Sequence, residues 1–126
     1  MIEVIYTENA PKAIGPYSQG IKAGNTIYIS GQLPYSENGS IADNDMKKQA
    51  TQCLKNIENI LVASNGRKNN IVKLTIFLKN LQDFALINEA CIDFFDNGYY
   101  PARSTVEISN LPKNANIEIE GIAVLD

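Results

Sequence analysis

Apolar positions along this 126-residue chain change their period several times, and each change marks an element. From Met46 onward, Ala50, Cys53, Leu54, Ile57, Ile60 and Leu61 recur at three- and four-residue intervals, which makes one stripe of a helix apolar. Asp43, Asn44 or Asp45 can cap its start, and Asn65 with Gly66 supplies its stop. The same spacing returns over residues 83–95 through Phe84, Ile87, Cys91, Phe94 and Phe95, closed by Asn97 and Gly98. Between these helices, residues 71–78 form a β-branched, apolar run that reads as a buried strand. Upstream, residues 3–7 read as a short strand, and residues 18–22 and 26–30 flank the turn Ala23, Gly24, Asn25, which predicts a hairpin. Strands over 104–108 and 117–124 finish the chain, separated by a loop carrying Pro112.

The resulting order, βββαβαββ, predicts an α+β fold: a mixed six-stranded sheet with both helices on one face, reached by right-handed crossovers. At this length the chain is expected to form a single domain, residues 1–126. Two helices cannot cover both sides of such a sheet. An uncovered apolar face predicts a homo-oligomer, with small-ligand clefts between subunits.

Charge and composition narrow the chemistry. A net charge of −3 and scattered lysines argue against nucleic acid as the main partner, because a phosphate-tracking surface needs a basic stripe. No run approaches the roughly 20 apolar residues of a membrane span, and the start Met1, Ile2, Glu3, Val4 lacks a basic region followed by an apolar one, so a soluble, cytoplasmic protein is expected. Histidine is absent, which removes the usual Ser/His and Cys/His nucleophilic pairs and most zinc sites. Cys53 and Cys91 fall in apolar helical stripes and read as core thiols rather than a disulfide. Chemistry must come from carboxylates, tyrosines, lysines, backbone groups and water.

Arg103 is one of two arginines, in the run Tyr99, Tyr100, Pro101, Ala102, Arg103, Ser104. Pro101 biases Tyr100 away from helical angles, so Arg103 is expected near a strand start, where its planar fork can anchor a small carboxylate. A surface salt bridge is the alternative. In the last strand, alternation of Ile117, Glu118, Ile119 and Glu120 puts both carboxylates on one face, either solvated or positioned to work on a water. Tyr17, fixed by Gly15 and Pro16, can present a phenol to a cleft or simply pack. Ser30 and Gly31 follow a strand directly, and Gly31 lets backbone approach a ligand. Asn88, taken alone, reads as a solvent-facing helix residue.

The runs IGPYSQG (14–20), SGQLP (30–34), PARS (101–104) and IEIEGIAV (117–124), with the turn Leu111, Pro112, Lys113, together resemble the RidA family of reactive intermediate imine deaminases over essentially the whole chain. The resemblance implies a chorismate-mutase-like subunit, a homotrimer, and three pockets between neighbouring subunits. It implies hydrolysis of 2-imino acids such as 2-iminobutanoate and 2-iminopropanoate, released as enamines by pyridoxal-phosphate dehydratases, to 2-oxo acids and ammonia. No metal or organic cofactor is called for. Carried onto this chain, the carboxylate-binding arginine is Arg103, the water-associated glutamate is Glu118, and Tyr17 lines the pocket. Ser30, Gly31 and Asn88 fall near the ligand. Many relatives carry a cysteine where this chain has Thr105, which excludes a thiol nucleophile there and leaves the Thr105 backbone as the ligand contact. Two other readings remain open: a translation-inhibiting ribonuclease, as some members are described, and a non-enzymatic regulator that binds small acids.

Overall fold

Asp45 begins the first helix: its carboxylate accepts the Lys48 N–H at 3.0 Å, satisfying a donor the helix itself leaves free. That helix, α1 (Met46–Val62), ends in paired bonds from Asn65 N–H to the Val62 carbonyl and from Gly66 N–H to the Leu61 carbonyl. Asn65 itself takes the left-handed conformation, φ 63°, that such a stop requires. The expected pair of residues stops the helix, and the asparagine makes the turn.

The computed structural model describes residues 1–126. Before α1 come β1 (Ile2–Ile5), β2 (Gly20–Ala23) and β3 (Thr26–Gln32); after it come β4 (Ile71–Leu78), α2 (Phe84–Phe94), β5 (Ala102–Glu107) and β6 (Ile117–Val124). The order βββαβαββ is as expected, with three short 3₁₀ turns added at 68–70, 81–83 and 112–114. The strands form one mixed six-stranded sheet, β1-β2-β3-β6-β4-β5. Only β4 and β5 are parallel, as their connection through α2 demands; the other pairs are antiparallel.

Period-two alternation sorts the strands into faces. Ile27 and Ile29 of β3, Leu74, Ile76 and Leu78 of β4, and Ile117 and Ile119 of β6 turn toward the helices and are at most 4% exposed. Against them pack Leu54, Ile57, Ile60, Leu61 and Ile87, all fully buried in one cluster. Truncating one of these to alanine costs about 2–5 kcal/mol. The reverse face has no helix. Ile2, Val4 and Tyr28 are 72%, 69% and 51% exposed there, so the uncovered apolar face expected from two helices on six strands is present. Sheet register slips between Ile29 and Gln32, a bulge that falls on Ser30 and Gly31.

Candidate active site

Arg103 is the second residue of β5, opposite Leu74 of β4, so register puts it on the helix-covered side of the sheet. There α2 holds it. Nη2 of Arg103 donates to Asn88 Oδ1 at 2.7 Å, Nη1 donates to the Cys91 thiol at 3.8 Å, and the guanidinium carbon lies 5.2 Å from the Phe84 ring centre. Phe84, Asn88 and Cys91 are spaced four and then three apart, which places them on one stripe of the helix. Arg103 enters none of the four ion pairs, whereas Arg67 pairs with Asp126 across exposed surface. The salt-bridge alternative therefore describes Arg67. Arg103 is a braced cation with donors to spare.

Asn88 does not face solvent without a partner, as it read when taken alone; its amide oxygen is committed to the guanidinium. Phe84 and Cys91 were legible only as apolar stripe residues. Their four-and-three spacing with Asn88 was the available signal, and nothing in the sequence joins that stripe to Arg103, which follows Asn88 by 15 residues. Burial raises the Cys91 thiol pKa, and the nearby Arg103 charge opposes that shift in part.

Glu118 lies on the opposite face. It pairs in register with Phe77, one residue out of phase with the Ile117 and Ile119 that enter the core. Gly31 is the reason it fits: a Cβ there would stand 2.6 Å from Glu118 Cδ, closer than real contacts allow. Removal from water raises the Glu118 pKa above the ordinary carboxylate value, and repulsion from Glu120, two residues on along the same face, adds to it.

A cavity of about 200 Å³ holds Glu118 and Gly31 together with Tyr17, Gln32, Lys12 and Lys113. Its walls are fixed by backbone-directed amides. Gln19 accepts the Thr7 N–H at 2.7 Å and donates to the Pro11 carbonyl at 2.9 Å, pinning the loop that carries Tyr17. The Tyr17 hydroxyl accepts the Ile14 N–H at 3.3 Å, within its own loop. Asn56 donates to the Leu33 and Tyr35 carbonyls, holding the far wall. Lys113, at φ 56°, lies over the Tyr35 ring at 5.1 Å.

Ser30 sits in the bulge beside Gly31, its hydroxyl donating to the Ser18 carbonyl at 2.6 Å. That bond ties β3 to the Tyr17 segment and occupies the hydroxyl proton. Thr105 is on the Arg103 side, two residues along β5, with its hydroxyl buried and unpartnered. The larger depression of about 640 Å³ beside the start of α1 contains none of the predicted residues and is a lysine-edged surface groove.

The predicted residues thus fall into two groups. Tyr17, Gly31 and Glu118 share one cavity; Arg103 and Asn88 share another, of about 270 Å³, across the sheet. One protomer does not bring the fork and the carboxylate to the same small molecule. No group of three or more His, Cys, Asp or Glu side chains is gathered anywhere to hold a metal. No helix is long and apolar enough to cross a membrane.

Known proteins resemble the chain over its full length. The family model described as Endoribonuclease L-PSP matches residues 7–125. A RutC family protein of Pyrococcus horikoshii is 51% identical, with 98% of each chain covered. The 2-iminobutanoate/2-iminopropanoate deaminase of Escherichia coli K12 is 47% identical, again over 98% of each. The crystal structure of E. coli TdcF with bound serine superposes with a TM-score of 0.94 at 42% identity, covering 98% of this chain and 99% of that one. By sequence and by fold, the chain belongs to the Endoribonuclease L-PSP family, and the RidA resemblance carried by its motifs is borne out.

Proposed function

We propose that this chain, acting as one RidA-like domain, hydrolyses 2-iminobutanoate and 2-iminopropanoate to 2-oxo acids and ammonia, in the cytoplasm and as a homotrimer. The observation that carries the reading is Arg103: a guanidinium braced by Asn88 and Phe84, without a carboxylate of its own. A 2-imino acid supplies that carboxylate. Each charge-assisted bond to it contributes roughly 1.5–3 kcal/mol and fixes the C=N carbon in place.

Glu118 then acts on water. Its carboxylate accepts a proton as the water oxygen bonds to C2 of the protonated imine, and returns that proton to nitrogen. The carbinolamine hydroxyl next gives up its proton to Glu118 as the C–N bond breaks, and departing ammonia takes it away as ammonium. Tyr17 walls the reacting end. A raised Glu118 pKa suits this double duty, since the ideal proton-transfer group titrates near working pH.

Because the fork and the carboxylate lie on opposite faces of the sheet, the catalytic set is completed by the cavity of an adjoining copy. The exposed apolar face supports that assembly. The serine-bound TdcF structure supports a small amino-acid-like ligand for this fold.

Arg103→Ala, assayed with imine made by threonine dehydratase and semicarbazide as the competing trap, is expected to lose at least tenfold in kcat/KM. Parental turnover by that variant sinks the anchor. Glu118→Gln is expected to bind product and fail to turn over. RNA cleavage is a second reading, favoured by the family model's description. It requires ribonuclease activity that survives purification and disappears with Arg103→Ala, against a surface of net charge −3.

A further inference from the structure

Asn56 is wholly buried on the inward stripe of α1, among Cys53, Ile57 and Ile60. A buried amide costs about 1–3 kcal/mol unless its polar atoms find partners. Here they do. Nδ2 donates to the Leu33 carbonyl at 3.2 Å and to the Tyr35 carbonyl at 2.8 Å, and Oδ1 accepts from Gln52 Nε2, one turn earlier, at 2.9 Å. Gln52 thereby sets the direction of the amide, since turning it over would aim Oδ1 at two carbonyl oxygens. Leu33 and Tyr35 lie beyond Gln32, the last residue of β3 and its last pairing with β6, so their carbonyls accept from Asn56 instead of from a neighbouring strand. Side chains along this segment alternate. Leu33 and Tyr35 line the Glu118 cavity, while Pro34 and Ser36 line the lysine-edged groove on the other side. A single thickness of chain therefore stands between Glu118 and an open surface groove.

We propose that Asn56, oriented by Gln52, is a positioning residue for the deaminase: it holds this wall shut and so keeps bulk water off the Glu118 carboxylate. The inference rests on the deaminase reading and deepens it. Removal from water is the first cause of the raised Glu118 pKa, so a wall that loosens lets that pKa fall toward the ordinary carboxylate value. The other titratable groups around Glu118 are Glu120 on its own strand, Lys12 and Tyr17 from the loop before β2, Tyr35 and Lys113 at the wall, and Cys53 of α1, whose thiol feels the Glu118 charge. The Lys113 ammonium lies over the Tyr35 ring at 5.1 Å, so the wall also fixes that cation at the cavity's edge.

Asn56→Leu keeps the side chain's bulk and removes both donors. In the dehydratase-coupled assay it is expected to move the acid limb of the kcat profile down by about half a pH unit and to lower plateau kcat about fivefold. KM should stay within twofold, because Arg103 takes the substrate carboxylate from the other face. Leu61→Ala, at a fully buried position on the same helix, controls for lost stability: it is expected to lower Tm and leave the acid limb in place. An unmoved limb in Asn56→Leu, or an equal movement in Leu61→Ala, overturns the proposal and leaves the deaminase reading standing. Should Asn56→Leu fail to fold, Gln52→Ala decides, since it frees the amide without opening the core: a limb moved in the same direction supports the proposal, and an unmoved one overturns it. If the parent hydrolyses no imine, the deaminase reading fails, and carbon-13 NMR titration of the Glu118 carboxyl tests the wall alone. A lower Glu118 pKa in Asn56→Leu or Gln52→Ala than in the parent supports it, and an unchanged one overturns it.

Discussion

Gly31→Ala isolates the position of one carboxylate from the stability of the fold. The glycine lies outside the left-handed region, so alanine meets no backbone penalty, and reduced freedom of the unfolded chain favours the variant by about 0.4–1 kcal/mol. The new methyl carbon would stand 2.6 Å from Glu118 Cδ and 3.0 Å from Cγ. Ordinary contact begins near 3.4 Å, so the carboxyl group must retreat by close to 1 Å. A glutamate side chain can do this by rotation, which keeps the structural cost small. The catalytic cost is not small, because misplacement by about 1 Å lowers rates on the order of a hundredfold, equivalent to about 2.7 kcal/mol on the barrier. Thermal unfolding of Gly31→Ala is therefore expected within a few degrees of the parent, with kcat down about a hundredfold in the dehydratase-coupled assay. Adding Gly31→Ala to Glu118→Gln should do almost nothing further, since both act through the same carboxylate. Parental kcat in the single variant refutes the role given to Glu118. Additive losses in the double variant refute the route through it.

Other expectations follow from the same geometry. Because the folded Glu118 pKa is raised by burial first and by Glu120 second, its contribution to stability is fully present below the ordinary carboxylate pKa and is lost as pH rises through the folded value; melting temperatures of parent and Glu118→Gln should coincide in acid and separate toward neutral pH, with the inactive variant the more stable. The kcat profile should rise over that same window as Glu118 loses its proton. Asn88→Ala removes the 2.7 Å brace on Arg103 and is expected to raise KM about tenfold with a smaller change in kcat, whereas Asn88→Asp, which pairs with the guanidinium, should raise KM further by competing with substrate. Thr105→Val replaces a buried, unpartnered hydroxyl with a methyl of like shape and is expected to stabilise the protein by about 1 kcal/mol, read as a rise of a few degrees in Tm, with KM within twofold if the ligand contact is made by backbone.

Periodicity carried the fold. The strand at Ile71–Leu78 and the strand at Ile117–Val124 begin and end where the residue types change, because both are central and their alternation is enforced by a buried face. Edges were less legible. The segment expected over 3–7 is paired only over Ile2–Ile5, and the one expected over 18–22 starts at Gly20, since Gln19 turns its side chain into the loop instead of the ladder. The parity of Glu118 and Glu120 with Ile122 and Val124 was readable from spacing, and so was their shared outer face. The role of Asn88 was not. Its oxygen meets Arg103 only because β5 runs parallel to β4 and returns beneath α2, a tertiary fact that no local pattern encodes.

That parallel return also determines why the site is divided. Residues paired across neighbouring strands share a face, so Arg103, Leu74 and Gly121 point one way while Glu118, Phe77 and Val106 point the other. Distance separates them as well: β4 lies between β5 and β6, which puts those two strands about 10 Å apart, and Arg103 stands opposite Leu74 while Glu118 stands opposite Phe77, three residues further along β4. Placing the sheet between them keeps the guanidinium free for a ligand carboxylate and the glutamate short of compensating charge. On the proposed assembly a neighbouring copy supplies the juxtaposition that the protomer withholds, and dilution below the dissociation constant of the oligomer is accordingly expected to abolish turnover in step with loss of the oligomer, followed by sedimentation velocity and the semicarbazide assay on the same samples. Activity that persists in isolated monomers would overturn this account.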